Sequence, residues 1–179
     1  TVDVHVPLDG STGTIDDTPS YTLSSGEAGA ITYSGASCNV AGDDTGNILA
    51  NNPTVVTFNQ LAQDTYSCTV TVTDAAGNAG TATLNTFIVD TTAPVITEDT
   101  AVSTPTSDTT PDVILTSSES VSLSFVGCES TTTSLSAGDT TITLTEVGGG
   151  AFNDQTINDC IITATDAAGV TDDVTLTEF

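Results

Sequence analysis

The chain has 179 residues, of which 24 are acidic and none is Lys or Arg, so its formal charge at pH 7 is −24. Binding to nucleic acid depends on Lys and Arg that neutralise phosphates, so this class of function is excluded, and an anionic membrane surface would repel the chain. Charged residues make up only 13% and apolar residues 37% of the sequence. The remainder is rich in Thr, whose branched Cβ favours strands, so the composition predicts a folded all-β protein.

The predicted strands of the first half are short runs of period 2, separated by clusters of Gly, Asp, Asn and Pro. The first strand carries its apolar side chains on one face, at Val2, Val4, Val6 and Leu8. Further strands are predicted at 21–25, 30–34, 54–61, 66–73 and 80–89. The sequence contains no Met, so Thr1 is expected to follow a segment that was removed, and no signal peptide or membrane span is apparent.

The second half gives a similar series of short strands, predicted at 94–98, 113–117, 121–126, 140–147, 156–165 and 171–179. No window shows a helical period of useful length. A Greek-key sandwich in each half is the most economical interpretation of this pattern. A single elongated β-solenoid is the alternative.

The two halves are copies of one unit. The segment Thr71–Phe87 returns as Thr163–Phe179, which is an offset of 92 residues. The same offset relates Glu27 to Glu119. Since a unit of about 90 residues is typical of a sandwich domain, we predict two tandem immunoglobulin-like Greek-key β-sandwiches, at 1–92 and 93–179, joined by a linker at 88–93.

The four cysteines fall two to a repeat. This distribution suggests the disulfides Cys38–Cys68 and Cys128–Cys160 within the domains, and hence an oxidising, extracellular compartment. Two pairs of buried free thiols are the alternative. A zinc site is disfavoured because the sequence has no CxxC spacing and only one His.

Tyr66 stands two residues before Cys68, which is the spacing of a tyrosine corner. The second repeat has Asn158 at that place, so the device is not shared. The first cysteine follows the third predicted strand instead of lying on the second, and the chain has no Trp. In both respects the chain departs from true immunoglobulin domains.

Three motifs relate the chain to a known class of repeats. They are VTDAAGN at Val72–Asn78, VDTTAP at Val89–Pro94 and TSDTTP at Thr106–Pro111. With these motifs the sequence resembles the bacterial Ig-like repeats of large surface adhesins. The resemblance implies an extracellular stalk at the cell surface, often with calcium at domain junctions. The second copy departs from the first motif, since Val170 replaces Asn78.

Calcium is the one cofactor that the residues favour, because it prefers several carboxylate and carbonyl oxygens and no cationic side chain except His5 competes for them. Sandwich topology brings the loops between strands together at the ends of each domain. We therefore expect a junction site with ligands from Asp16, Asp17, Asp64, Asp90, Glu119 and Asp166. The alternative is that these carboxylates only cap turns through Asx hydrogen bonds.

No catalytic set is apparent, and the chain is predicted not to be an enzyme. His5 is the only His and lies on the first predicted strand, and Gly148–Gly150 lacks the Lys of a phosphate-binding loop. The leading hypothesis is a structural stalk or filament whose repeats stack end to end, so that the main partner is another copy. The predicted self-contact residues are Thr1, Glu27, Asp74, Asp108, Asp154 and Phe179.

Two further hypotheses remain for the function. The chain could be an adhesin segment that binds a host receptor or glycan through its loops, which offer only Ile48, Leu49 and Phe152 as apolar contacts. It could also be an accessory domain of a secreted polysaccharide-active enzyme. A separate idea is that the first strand completes the sheet of a neighbouring chain.

Overall fold

The computed structural model describes residues 2–5, 14–35, 38, 46–153 and 155–179, and of residues 2–5 it describes the backbone alone. The chain divides into two compact units, Thr1–Thr91 and Thr92–Phe179. Within the described ranges all the regular structure is β-strand. Accordingly, no helix there is long and apolar enough to cross a membrane.

The first unit is a sandwich of two antiparallel sheets. One sheet has the order β1-β2-β5, the other β4-β3-β7-β8, and β6 and β9 form an additional pair. This is the order of an immunoglobulin-like Greek key in which the fourth strand pairs with the third. The strands are β1 Val2–His5, β2 Ser20–Ser25, β3 Gly29–Ser34, β4 Asn47–Ile48, β5 Thr54–Thr57, β6 Asp64–Tyr66, β7 Thr69–Thr73, β8 Ala79–Thr83 and β9 Phe87–Val89.

The second unit repeats this arrangement. Its sheets have the orders β10-β11-β14 and β13-β12-β15-β16. The strands are β10 Ile96–Thr100, β11 Asp112–Ser117, β12 Val121–Val126, β13 Ser134–Leu135, β14 Gly138–Thr143, β15 Ile161–Thr165 and β16 Thr171–Thr175. The predicted fold class is confirmed in both units, and the β-solenoid alternative is wrong.

Alternating burial along the strands explains why each unit closes into a sandwich. On β2 every second side chain is buried, including Tyr21 and Leu23, and β11 follows the same rule. The core of the first unit contains a cluster of aromatic rings, in which Phe58 and Phe87 are tilted against each other at a centroid distance of 5.3 Å. Each such side chain contributes about 1.5–3 kcal/mol when it is fully buried.

Several strands are shorter than predicted. The predicted strand 66–73 is divided between β6 and β7, and 80–89 between β8 and β9, because β6 and β9 leave the main sheet and pair with each other. The two-residue strands β4 and β13 were not predicted. β1 pairs with β2 of its own unit. Val6 and Leu8 lie outside the described residues.

Both predicted disulfides are formed, Cys38–Cys68 and Cys128–Cys160, with sequence separations of 30 and 32 residues. Cys38 follows β3 and Cys68 directly precedes β7, and these two strands are neighbours in one sheet. The bridge therefore joins the chain segments beside two neighbouring strands of one sheet. It does not connect the two sheets, unlike the disulfide of antibody domains.

The tyrosine corner is also present. The Tyr66 hydroxyl donates a hydrogen bond to the carbonyl of Ala62 at 2.7 Å. In the second unit Ile157 takes the buried place of this ring, and its main chain exchanges hydrogen bonds with Phe179. The second unit thus keeps the packing position and loses the polar contact.

Candidate metal centre

The turn between β15 and β16 is built around the carboxylate of Asp166. Its Oδ1 accepts hydrogen bonds from the main-chain N–H groups of Gly169 at 2.7 Å and Val170 at 2.8 Å. Gly169 has a φ of 93°, a conformation that glycine adopts without steric cost. The turn therefore fixes the carboxylate by one oxygen and leaves Oδ2 for another partner.

That second oxygen is buried. Asp166 is only 7% exposed, and its Oδ2 has no hydrogen-bond partner among the residues that the structure describes. A buried carboxylate oxygen that has lost water and gained no donor is unfavourable by several kcal/mol when it is charged. A cation or another donor at this oxygen would remove that cost.

The first unit shows how the same turn is satisfied without a cation. Asp74 is the equivalent of Asp166, and the side-chain amide of Asn78 donates to its Oδ2 at 2.8 Å. The main-chain N–H groups of Ala76 and Asn78 donate to Oδ1, also at 2.8 Å. The Asn78 side chain, followed by these backbone donors, lowers the pKa of Asp74 below its usual value of 3.8. Val170, which stands where the first unit has Asn78, has no such donor.

A second carboxylate lies beside Asp166. Glu119 belongs to the loop between β11 and β12, where its carbonyl accepts a hydrogen bond from the Ser117 hydroxyl at 2.7 Å. Carboxylate oxygens of Glu119 and Asp166 lie within 4.8 Å of each other. Two negative charges at this distance repel each other, and the sequence has no Lys or Arg to place between them. Calcium binds oxygen at about 2.3–2.6 Å, so one ion between the two groups could reach both.

Three of the other predicted ligands already accept hydrogen bonds within their own unit. The Oδ1 atoms of Asp16 and Asp64 accept main-chain hydrogen bonds from nearby residues, and Asp17 Oδ2 accepts a hydrogen bond from the side-chain amide of Gln60 at 2.8 Å. The Asp16 contact, with an N–H two residues later, agrees with the Asx-turn alternative, whereas Asp64 bonds the adjacent N–H and Asp17 bonds a side chain 43 residues away. Asp90 is half-buried, and its main-chain N–H donates to the Thr14 carbonyl at 3.0 Å. Its role as a ligand stays a prediction.

The predicted self-contact residues have different environments. Thr1 and Asp154 lie outside the described residues. Glu27 is exposed, whereas Asp74 and Asp108 use their carboxylates in turns. Phe179 is 9% exposed and packs edge-on against Phe152, so its side chain belongs to the core of its own unit.

Comparisons with known proteins give several structural neighbours, among them two fragments of Intimin. The chain is similar to the D00-D0 domain of Intimin, with 16% identity and a TM-score of 0.44 over 99% of this chain and 100% of that one. It is also similar to the D0-D1 domain of Intimin, with 14% identity and a TM-score of 0.35 over 100% and 97%. No protein-family model and no curated protein matches the sequence. At these TM-scores the likeness carries no functional argument, and the fold assignment rests on the strand order.

Proposed function

We propose that the chain is an extracellular, non-enzymatic structural segment, a pair of tandem Ig-like repeats from a surface stalk or a head-to-tail filament. One observation carries this proposal. The same seven-strand sandwich occurs twice, and each copy has its own core and its own disulfide between equivalent positions. Copies that fold independently and are joined in series are the construction expected of a spacer.

The chemistry of the chain supports an extracellular location. Structural disulfides persist in oxidising compartments, and the absence of Lys and Arg leaves no site for trypsin-like proteases. The loops offer little to a receptor or glycan. Ile48 and Phe152 are buried, so Leu49, which is 63% exposed, is the one predicted apolar loop contact that is accessible. This favours the spacer over the adhesin alternative.

Immunogold labelling of intact source cells tests the location. An antibody against the purified chain should decorate unpermeabilised cells, while an antibody against a cytoplasmic protein should label only permeabilised cells. Label that appears only after permeabilisation would contradict an extracellular role. Mass spectrometry of the chain, alkylated without reduction, gives an independent measurement, since an extracellular chain should carry both disulfides and no alkylated cysteine.

We also propose that Glu119 and Asp166 of the second unit bind calcium. Bound calcium would tie the β11–β12 loop to the β15–β16 turn and neutralise the charge that they share. Calcium should therefore raise the melting midpoint of the second unit, and a chelator should lower it. Glu119→Gln keeps the size of the side chain but removes its charge, and it should abolish most of this shift.

The first unit is the internal control for this experiment. All three tyrosines, Tyr21, Tyr33 and Tyr66, lie in it, so tyrosine fluorescence follows that unit alone. Magnesium at equal ionic strength controls for general screening of the negative charge. A calcium shift that is equal in both units, or equal for both ions, would remove the specific site.

Assembly into filaments is the finer part of the proposal. Negative-stain microscopy of the purified chain at high concentration, with calcium, should show rods longer than a single chain. Glu27→Gln is the preferred variant for the predicted self-contact, because it neutralises an exposed carboxylate and leaves the core unchanged. If only dispersed single molecules are seen under all conditions, the filament hypothesis is excluded and the stalk hypothesis is unaffected.

A further inference from the structure

A groove with a volume of about 680 Å³ lies at one end of the second unit. Its apolar floor is formed by Phe152, Ile157 and Phe179, each less than a tenth exposed. One wall is the segment Thr104–Thr109, and the other contains Gln155 and Thr156. The groove thus has an apolar floor between two stretches of main chain, which is the form of a site for an extended peptide.

The equivalent place in the first unit is filled by the chain itself. After Phe87, the strand β9 continues to Val89 and pairs with β6 on one side. On its other side Thr14 donates from its N–H to the Ile88 carbonyl at 3.0 Å and accepts from the Asp90 N–H at 3.0 Å. Val89 is completely buried. An apolar strand therefore closes this end of the first unit.

Each wall of the groove in the second unit is built like the corresponding segment of the first unit. Thr106 is the equivalent of Thr14, and in each case the threonine hydroxyl accepts a hydrogen bond from an aspartate N–H two residues later, at 3.0 Å. The main chain of Thr106 has no backbone partner among the described residues. On the opposite wall, Ile157 and Phe179 exchange main-chain hydrogen bonds of 2.8 and 3.1 Å, which begins the pairing that β6 and β9 make in the first unit.

We propose that this groove is the acceptor of a β-strand continuous with Phe179, of the Ile-Val-Asp type that Ile88–Asp90 supplies in the first unit. The strand would run antiparallel to Gln155–Thr156, and its first residue would accept a hydrogen bond from the Thr106 N–H. Side chains of a strand alternate between faces, so its second residue enters the groove and has to be apolar. The third residue faces out and tolerates a charge.

Continuity with Phe179 is favoured over a separate peptide for two reasons. The pairing has already begun at Phe179, so a directly attached residue reaches the next position without loss of translational freedom. The groove is also short, and a free peptide of three residues would gain few contacts there. The groove is therefore better suited to a strand attached to Phe179 than to a separate peptide.

The test compares two C-terminal extensions of the full chain. One adds Ile-Val-Asp-Thr-Thr after Phe179, copying Ile88–Thr92. The matched control adds Ile-Asn-Asp-Thr-Thr, which has the same length and charge but a polar second residue. The apolar extension should raise the melting midpoint of the second unit by about 5 °C or more, whereas the control should raise it by less than about half as much.

Amide exchange gives a readout at a single position. In the apolar extension the Thr106 N–H should exchange at least about tenfold more slowly than in the unextended chain, while Thr14 should be unchanged, because its partner is already in place. Equal effects of the two extensions would overturn the proposal. So would protection of Thr106 by a free acetylated Ile-Val-Asp-Thr-Thr peptide when the attached strand gives none, since the groove would then belong to a separate chain.

This inference does not depend on the proposed location or on calcium. An intracellular label would refute the extracellular role and leave the groove intact, and the extension experiment has no bearing on where the chain resides.

Discussion

Replacing Val170 by Asn should change how the second unit depends on calcium. The substitution returns to the second unit the amide that Asn78 supplies in the first, where it donates to Asp74 Oδ2 at 2.8 Å. The same donor would satisfy the buried Oδ2 of Asp166 without a metal ion. We therefore expect the metal-free protein to become more stable and its response to calcium to become smaller.

The magnitude follows from the burial of Asp166. A hydrogen bond to a charged group contributes about 1.5–3 kcal/mol, and the upper part of this range applies when the acceptor is buried. Replacement of the half-buried Val170 loses up to about 1 kcal/mol of apolar burial. The net gain for the metal-free unit is therefore about 1–2 kcal/mol, and each kcal/mol corresponds to a rise of about 4–8 °C in its melting midpoint.

Scanning calorimetry in chelator and in calcium measures both effects. In the unmodified chain, free calcium at a hundred times its dissociation constant should add about 2.7 kcal/mol to the second unit. In Val170→Asn this increment should fall, since the amide and the ion compete for the same oxygen. Val170→Ala is the matched control, because it removes the same apolar contact without providing a donor.

Two results would refute the reasoning. If Val170→Asn and Val170→Ala have the same midpoint in chelator, the amide does not reach Asp166. If both variants keep the full calcium increment, the ion does not bind at that oxygen. The melting midpoint of the first unit, followed by tyrosine fluorescence, should be the same in all of these variants and conditions. This separates a local effect from a general change in stability.

Three further outcomes are expected. Tyr66→Phe removes the hydroxyl's hydrogen bond and should cost the first unit about 1 kcal/mol by calorimetry. Joint replacement of Cys128 and Cys160 by Ser should cost the second unit about 3–4 kcal/mol in denaturant unfolding and leave the first unaffected. The lowered pKa of Asp74 stabilises the folded state above pH 3.8, and this is lost as the pH falls through the folded value. Asn78→Val should therefore move acid unfolding of the first unit, followed by tyrosine fluorescence, to higher pH.

The strands that carry the cores could be predicted because burial alternates along them. Val121–Val126 has the predicted bounds, and Ser20–Ser25 differs from its prediction by one residue. The edge strands Asn47–Ile48 and Ser134–Leu135 were missed because two residues are too few to show a period. The end of each unit was also missed, since pairing between β6 and β9 depends on contacts that are distant in sequence.

The candidate metal centre was predictable in part. Glu119 and Asp166 were among the proposed ligands, because sandwich topology places their loops at the same end of the domain. The exchange of Asn78 for Val170 was visible in the repeat alignment, but its effect depends on which oxygen the turn already satisfies. Only the geometry separates Asp166, which has one buried oxygen without a partner among the described residues, from Asp16, Asp17 and Asp64, which are not buried and accept hydrogen bonds within their own unit.

A disulfide within one sheet changes how a unit extends when it is pulled by its ends. Strand β1 can be pulled away from β2, but the segment between Cys38 and Cys68, a sequence separation of 30, cannot lengthen while the bond between them holds. At about 3.5 Å per residue, about 100 Å of potential extension stays locked in the first unit, with a similar length behind Cys128–Cys160 in the second. Under shear, a tether made of such units would therefore lengthen only by the part of each unit outside the disulfide loop. A reducing agent would allow the enclosed residues to extend as well.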